Sequence, residues 1–232
     1  MSFLGNLNGQ QALREHRKGN YEKALELYHK AFQQGMRKPA LLKSYAALLV
    51  RRNYFEDALE VLKIADRVPG LSEADKNEIL INYAIVLWKK GHLSHAMDLL
   101  KQRLQQSKNG LLYSVAGYLA IESGNKDEAL SLNKEALEYD DTDPIFLDNM
   151  AQTLLRLFED KQQARVYFER ALQYKPAAID TNYFLGLMDL EAGDKESARK
   201  KLKTALKGKF SPLNYATPER IDEALKVLEQ DA

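Results

Sequence analysis

Histidine is the residue here whose spacing first hints at chemistry. The chain has His16, His29, His92 and His95, and the last two stand three apart, close to one helical turn. Two imidazoles at that spacing could hold a transition metal, but a site needs a third protein ligand and the sequence places none. With no cysteine, thiolate metal sites, disulfides and cysteine nucleophiles are excluded. No phosphate loop, nucleophile elbow or dinucleotide fingerprint occurs either. The acidic run Asp140-Asp141-Thr142-Asp143-Pro144 lacks the glycine and closing glutamate of a calcium loop, and reads as a turn capping the next helix. Across 195–209 seven cations face one acid, a basic helix face with inward Ala198, Leu202, Ala205 and Leu206. The expectation is therefore a protein that is not an enzyme, with no metal and no cofactor.

The elements that carry these residues recur. Ala24, Ala58, Ala96, Ala129, Ala164 and Ala198 each follow a turn, at separations of 34, 38, 33, 35 and 34. A period near 34 is a repeat signal. Twelve residues earlier stand Ala12, Ala46, Ala84, Gly117, Gln152 and Gly186, and seven later Ala31, Ala65, Arg103, Ala136, Ala171 and Ala205. Small residues in these columns let two antiparallel helices approach closely. Five before each alanine come Gly19, Asn53, Gly91, Gly124, Glu159 and Gly193, where a left-handed residue ends the first helix, and only Glu159 departs from glycine or asparagine. The 38-residue step contains Val68-Pro69-Gly70-Leu71, an elongated loop before Ser72 or Asp75 can cap a helix. Thr217-Pro218-Glu219 starts a last helix.

In this pattern the chain resembles the tetratricopeptide repeat (TPR) family. Leu185-Gly186 matches its Leu-Gly pair, Tyr28 and Phe168 its aromatic on the second helix, Tyr21 and Phe55 the aromatic after the turn, and Pro176 the closing proline. Arg103, Gln152 and Asn133 depart from it. The resemblance implies an all-α, right-handed solenoid of six helix-turn-helix repeats at about 5–38, 39–76, 77–109, 110–144, 145–178 and 179–212, with a capping helix at 217–230. The expectation is one superhelical domain over 1–232.

The same resemblance places a partner-binding groove on the first helix of each repeat. It implies Lys43, Ile81, Asn82, Ile85, Trp88, Tyr118, Ile121, Phe146, Asn149 and Tyr183 as groove residues, with an exposed apolar strip from Ile81 to Phe146 anchored by Trp88 and Tyr118. Lys43 and Asn82 occupy two positions of the family's carboxylate clamp, but Ala47, Leu111 and Val115 stand where its other polar groups belong. The expected partner is a peptide or amphipathic helix of another protein, bound by a non-catalytic scaffold. Residues 1–110 hold 18 Lys/Arg against 11 Asp/Glu, a balance of +7, and residues 111–232 hold 16 against 22, a balance of −6. Head-to-tail homo-oligomers are thus an alternative. Nucleic-acid binding of the pentatricopeptide kind is disfavoured, because 111–160 carries 11 acids and three bases. With no apolar run of membrane length and no export signal at the N-terminus, no membrane contact and a cytoplasmic location are expected.

Overall fold

The computed structural model describes residues 3–230. Over them the chain forms thirteen α-helices and no strand. These are α1 (Phe3–Lys18), α2 (Tyr21–Gln33), α3 (Pro39–Arg51), α4 (Phe55–Asp66), α5 (Glu73–Lys89), α6 (Leu93–Gln106), α7 (Gly110–Ser123), α8 (Lys126–Tyr139), α9 (Pro144–Phe158), α10 (Lys161–Tyr174), α11 (Ile179–Glu191), α12 (Lys195–Leu206) and α13 (Pro218–Gln230). They fall into two compact units, one reaching Ser107 and the other starting at Lys108.

In the first unit α1 packs on α2, α3 on α4 and α5 on α6, with α3 also against α1 and α5. In the second, α7 packs on α8, α9 on α10 and α11 on α12, with α9 also against α7 and α8, and α13 lies against α12 and α11. The alanines that follow the turns are all completely buried, as are Ala31, Ala65, Ala136, Ala171 and Ala205. Each turn residue is left-handed, with φ of 84° at Gly19, 63° at Asn53, 86° at Gly91, 74° at Gly124, 59° at Glu159 and 81° at Gly193. The position dictates the conformation even where glutamate must adopt it, at the cost of strain that glycine avoids.

Helix starts follow the chemistry of exposed amides. Ser72 and Asp75 form a reciprocal capping box on α5, and Asn109, Asn125, Asp143, Asp160 and Asp194 accept backbone N–H bonds at the starts of α7, α8, α9, α10 and α12. The acidic run thus serves as a cap through Asp143, whose Oδ1 accepts from the Ile145 N–H at 2.7 Å. Each unit has an aromatic centre: Tyr28 stacks on Tyr45 at 5.2 Å, and Phe184 stacks on Phe168 at 5.4 Å and on Tyr215 at 5.0 Å. Burying such a ring contributes about 1.5–3 kcal/mol.

Candidate functional site

Helices α1, α3 and α5 of the first unit enclose a hollow of about 380 Å³, lined by His16, Ala40, Lys43, Ser44, Ala47, Arg51, Glu78 and Asn82. Two expected groove residues, Lys43 and Asn82, meet there. Lys43 Nζ lies 2.5 Å from Asp75 Oδ1 and 2.8 Å from Glu78 Oε2. Burial opposes its charge, but these two carboxylates outweigh burial and hold its pKa above the ordinary lysine value. In return the Lys43 ammonium, with help from Ser72, pushes Asp75 down to about 2. Asn82 donates to the Glu78 carbonyl at 2.8 Å. His16 stands edge-on to Tyr21 and Tyr28, and its pKa is lowered by burial and then by Arg51, which favours the neutral imidazole. Arg51 is exposed, with no ion-pair partner among the described residues. The hollow therefore offers one uncommitted guanidinium, an amide and a hydroxyl beside a neutralised lysine.

The expected exposed strip is not what the helices present. Ile81 and Ile85 are buried, and Trp88 keeps partial exposure with the Lys89 ammonium 3.7 Å from its ring centre. In the second unit Tyr118, Ile121, Phe146, Asn149 and Tyr183 are all buried. Helix α7 is apolar on all sides from Val115 to Ile121 and is buried there, which lifts the Tyr118 hydroxyl pKa well above its usual range. Phe146 packs edge-on to Tyr113 at 6.3 Å, and Asn149 donates to the Ser114 carbonyl at 2.9 Å, tying α9 to α7. Tyr183 is covered by Phe184 at 5.3 Å and by Tyr215 at 6.3 Å.

A buried polar network occupies the second unit, around the position where Asn149 was expected to face a groove. Asp148 accepts from Thr181 Oγ1 at 2.5 Å and Gln152 Nε2 at 2.7 Å; Arg156 donates to Gln152 Oε1 at 3.1 Å and Glu122 Oε1 at 2.7 Å. Asp180 accepts from the backbone N–H of Tyr215 and Ala216 and from Asn214, fastening the segment before α13 to the start of α11. Burial raises the pKa of both carboxyls, and Asp180 raises Asp148 further. Asn133 Nδ2 donates to Thr153 Oγ1 at 3.0 Å and to the Gly117 carbonyl at 3.3 Å. The sequence signal is narrow: the column sixteen residues before the reference alanines holds Asn8, Leu42, Leu80, Tyr113, Asp148 and Asn182, polar in three repeats, with Asp148 its one charged member.

Among the described residues no three His, Cys, Asp or Glu side chains are grouped to hold a metal ion, and His92 and His95 are exposed. No described helix is long and apolar enough to cross a membrane. The basic face of α12 is partly engaged, since Lys201 lies 2.5 Å from Asp189, which also meets Arg165 at 2.9 Å.

A tetratricopeptide repeat protein of Parabacteroides merdae superposes with a TM-score of 0.78 at 18% identity, covering 97% of this chain and 84% of that one. The chain has the TPR fold. Human IFIT1, solved as a dimer with PPP-AAAA, superposes with a TM-score of 0.61 at 22% identity over 82% of this chain and 46% of its own. No family model matches the sequence. Among curated proteins, Protein POLLENLESS 3-LIKE 2 of Arabidopsis thaliana is 27% identical over 212 residues, covering 90% of this chain and 45% of that protein. A TPR repeat-containing protein of Methanocaldococcus jannaschii is 24% identical over 161 residues, or 68% of this chain and 27% of its own length. The chain thus spans less than half of each curated relative.

Proposed function

We propose that this TPR chain is a non-catalytic interaction scaffold, six repeats closed by the helix at 217–230, which holds an extended segment of a partner protein against α1, α3 and α5. The observation that carries this reading is the hollow itself. Lys43 and Asn82 meet there, Arg51 is free to pair with an acidic side chain, and Trp88 lies further along the same helix as Asn82. Backbone amides of an extended peptide suit Asn82 and Ser44, and a carboxylate suits Arg51. The aromatic face of Trp88 would take an apolar neighbour. RNA is the weaker ligand: the lysine of the hollow is neutralised by Asp75 and Glu78, so few cations remain to offset phosphate.

Trp88 is the only tryptophan, so its fluorescence reports on one place alone, the last turns of α5. Peptides selected from a displayed random library on the wild type are expected to shift that emission. They should bind about tenfold more weakly, or roughly 1.4 kcal/mol, to Asn82→Ala and to Arg51→Ala, both with unchanged thermal midpoints. Selected peptides indifferent to both substitutions would place the site elsewhere. A triphosphorylated oligonucleotide that shifts the emission with steep salt dependence would favour RNA.

A further inference from the structure

A second hollow, of about 450 Å³, lies between α4, α5 and α6 and shares no lining residue with the first. Its floor is Leu62 and Ile79, both buried, and its walls are the partly exposed Leu80, Tyr83 and Leu99. Two sequence departures accompany it. Arg103 stands in the column otherwise held by alanines, so the end of α6 presents a long side chain where its counterparts present a methyl group. The elongated 38-residue step adds the Val68–Leu71 turn between α4 and α5. Arg103 spans the space, with Nε donating to Asn77 Oδ1 at 2.5 Å and Nη2 to Glu73.

The rim is basic. Lys63, Arg67, Lys76 and Arg103 line the hollow, with Asp66 as the acid among its lining residues. Glu73 neutralises part of this charge through Lys76 at 2.7 Å and through Arg103. Lys63 and Arg67 are exposed and have no ion-pair partner among the described residues. An apolar floor under unpaired cations asks for an apolar side chain beside carboxylates.

The second unit displays such a segment between α8 and α9: Tyr139-Asp140-Asp141-Thr142-Asp143-Pro144-Ile145. Tyr139 is 50% exposed and Ile145 41% exposed, with three aspartates and no base between them. The loop is already held in shape. Asp140 accepts from the Thr142 N–H at 2.9 Å and hydroxyl at 2.7 Å, Asp143 caps α9, and Arg170 donates to the Asp141 carbonyl at 3.1 Å. Little further ordering entropy would be lost on docking. The Asp141 carboxylate has no ion-pair partner among the described residues.

We propose that the α4–α5–α6 hollow receives the Tyr139–Ile145 loop of a second copy of this chain. An apolar end of the loop enters over Leu80, Tyr83 and Leu99 while Asp140 and Asp141 meet Lys63 and Arg67. The halves of the chain carry balances of +7 and −6, which favours this pairing over contacts between like halves. Hollow and loop belong to different surfaces, so the contact is heterologous: each docking event leaves one hollow and one loop free, and association continues until a ring closes. The contact is small, in the range of weak, transient interfaces. The hollow on α1, α3 and α5 plays no part in it, so peptide binding read through Trp88 stands or falls separately.

The test is sedimentation of the full chain from about 1 to about 200 µM, at salt between about 0.05 and about 0.5 M. The average mass is expected to climb with concentration above the 26.5 kDa monomer, past the dimer, and to fall with salt. A hollow variant, Lys63→Glu/Arg67→Glu, and a loop variant, Tyr139→Ser/Asp141→Ser, should each remain monomeric, with helical circular dichroism unchanged. Mixed one to one they should form a species of twice the monomer mass and nothing larger, because one supplies the only sound loop and the other the only sound hollow. A wild type that stays monomeric throughout overturns the proposal, as does association that survives either variant. A mixture that fails to pair overturns it too, and a wild type that binds a foreign acidic segment in this hollow while remaining monomeric replaces the second copy with that partner.

Discussion

A methyl group added at Gly117 should be far more damaging than one added seven residues earlier on the same helix. A Cβ at Gly117 would lie 2.1 Å from Asn133 Oδ1 and 3.1 Å from both Asn133 Cγ and Asn149 Nδ2. Asn133 is completely buried, so it has no solvent to swing into, and moving it gives up its bonds to Thr153 and to the Gly117 carbonyl. Overpacking costs about 1–3 kcal/mol, and stranding buried polar groups about 1–3 kcal/mol more. The better helix propensity of alanine returns about 1 kcal/mol. A net loss of about 1–5 kcal/mol follows, a drop of roughly 2–10 °C in thermal midpoint for a chain of this size. At Gly110, in the first turn of α7, the same Cβ would meet Phe146 Cζ and Tyr139 Cε1 at 3.7 Å, an ordinary contact, so Gly110→Ala should raise stability by about 0.5–1 kcal/mol. Melts followed by far-ultraviolet circular dichroism decide the matter. Gly117→Ala melting at or above the wild type would refute the close-approach argument, and Gly117→Ala/Asn133→Ala should recover much of the loss if Asn133 is the obstacle.

Three further outcomes follow from the electrostatics and caps. Because burial raises the Asp148 pKa, the folded chain holds a proton there to higher pH than the unfolded chain does; this group's contribution to stability therefore falls as pH rises above the ordinary carboxyl value of about 4. Asp148→Asn should flatten the loss of urea stability between about pH 5 and 8, and parallel curves for variant and wild type would count against it. Asp75, held at about 2, has the opposite sign: its stabilisation is present above the unfolded carboxyl pKa and is lost as pH falls toward 2. Lys43→Met should therefore cost about 1 kcal/mol near neutrality, and the gap from wild type should narrow in thermal melts at about pH 2.5. Ser72→Ala removes a capping box whose Asp75 N–H bond measures 3.1 Å, so a loss of about 1 kcal/mol is expected, with faster amide exchange at Asp75.

The helical pairs were legible because their packing demands recur in the letters. Ala24, Ala58, Ala96, Ala129, Ala164 and Ala198 are fully buried, and Glu159 turns left-handed because its place in the repeat requires it. The face on which an apolar residue lies was less legible. Periodicity assigns a face only when polar residues mark the opposite side, and α7 has no charged residue before Glu122, so Tyr118 could be read toward solvent as easily as toward the core. Phe146 and Tyr183 were misplaced for a related reason: one is enclosed by rings from neighbouring helices, the other by Tyr215 from the segment before α13. Lys43 and Asn82 both line the hollow of α1, α3 and α5. Arg103 and Asn133, which looked like flaws in the repeat, are hydrogen-bonded between helices, and Gln152 links Arg156 to Asp148 along α9. A column rule identifies such residues as exceptions without naming their partners.

The links from Glu122 through Arg156, Gln152 and Asp148 to Thr181 join α7, α9 and α11, and of these residues Arg156, Gln152, Asp148 and Thr181 do not recur at the matching positions of the other repeats. Repeats built on the same alanine seams are nearly interchangeable, and a growing chain of them can dock a hairpin on the wrong neighbour or borrow one from another molecule. A guanidinium or carboxylate that finds its counterpart at only one station makes every wrong docking leave a charge stranded. The network thus penalises a wrong neighbour for the hairpins that begin with α7, α9 and α11, a discrimination that an oily seam alone would lack.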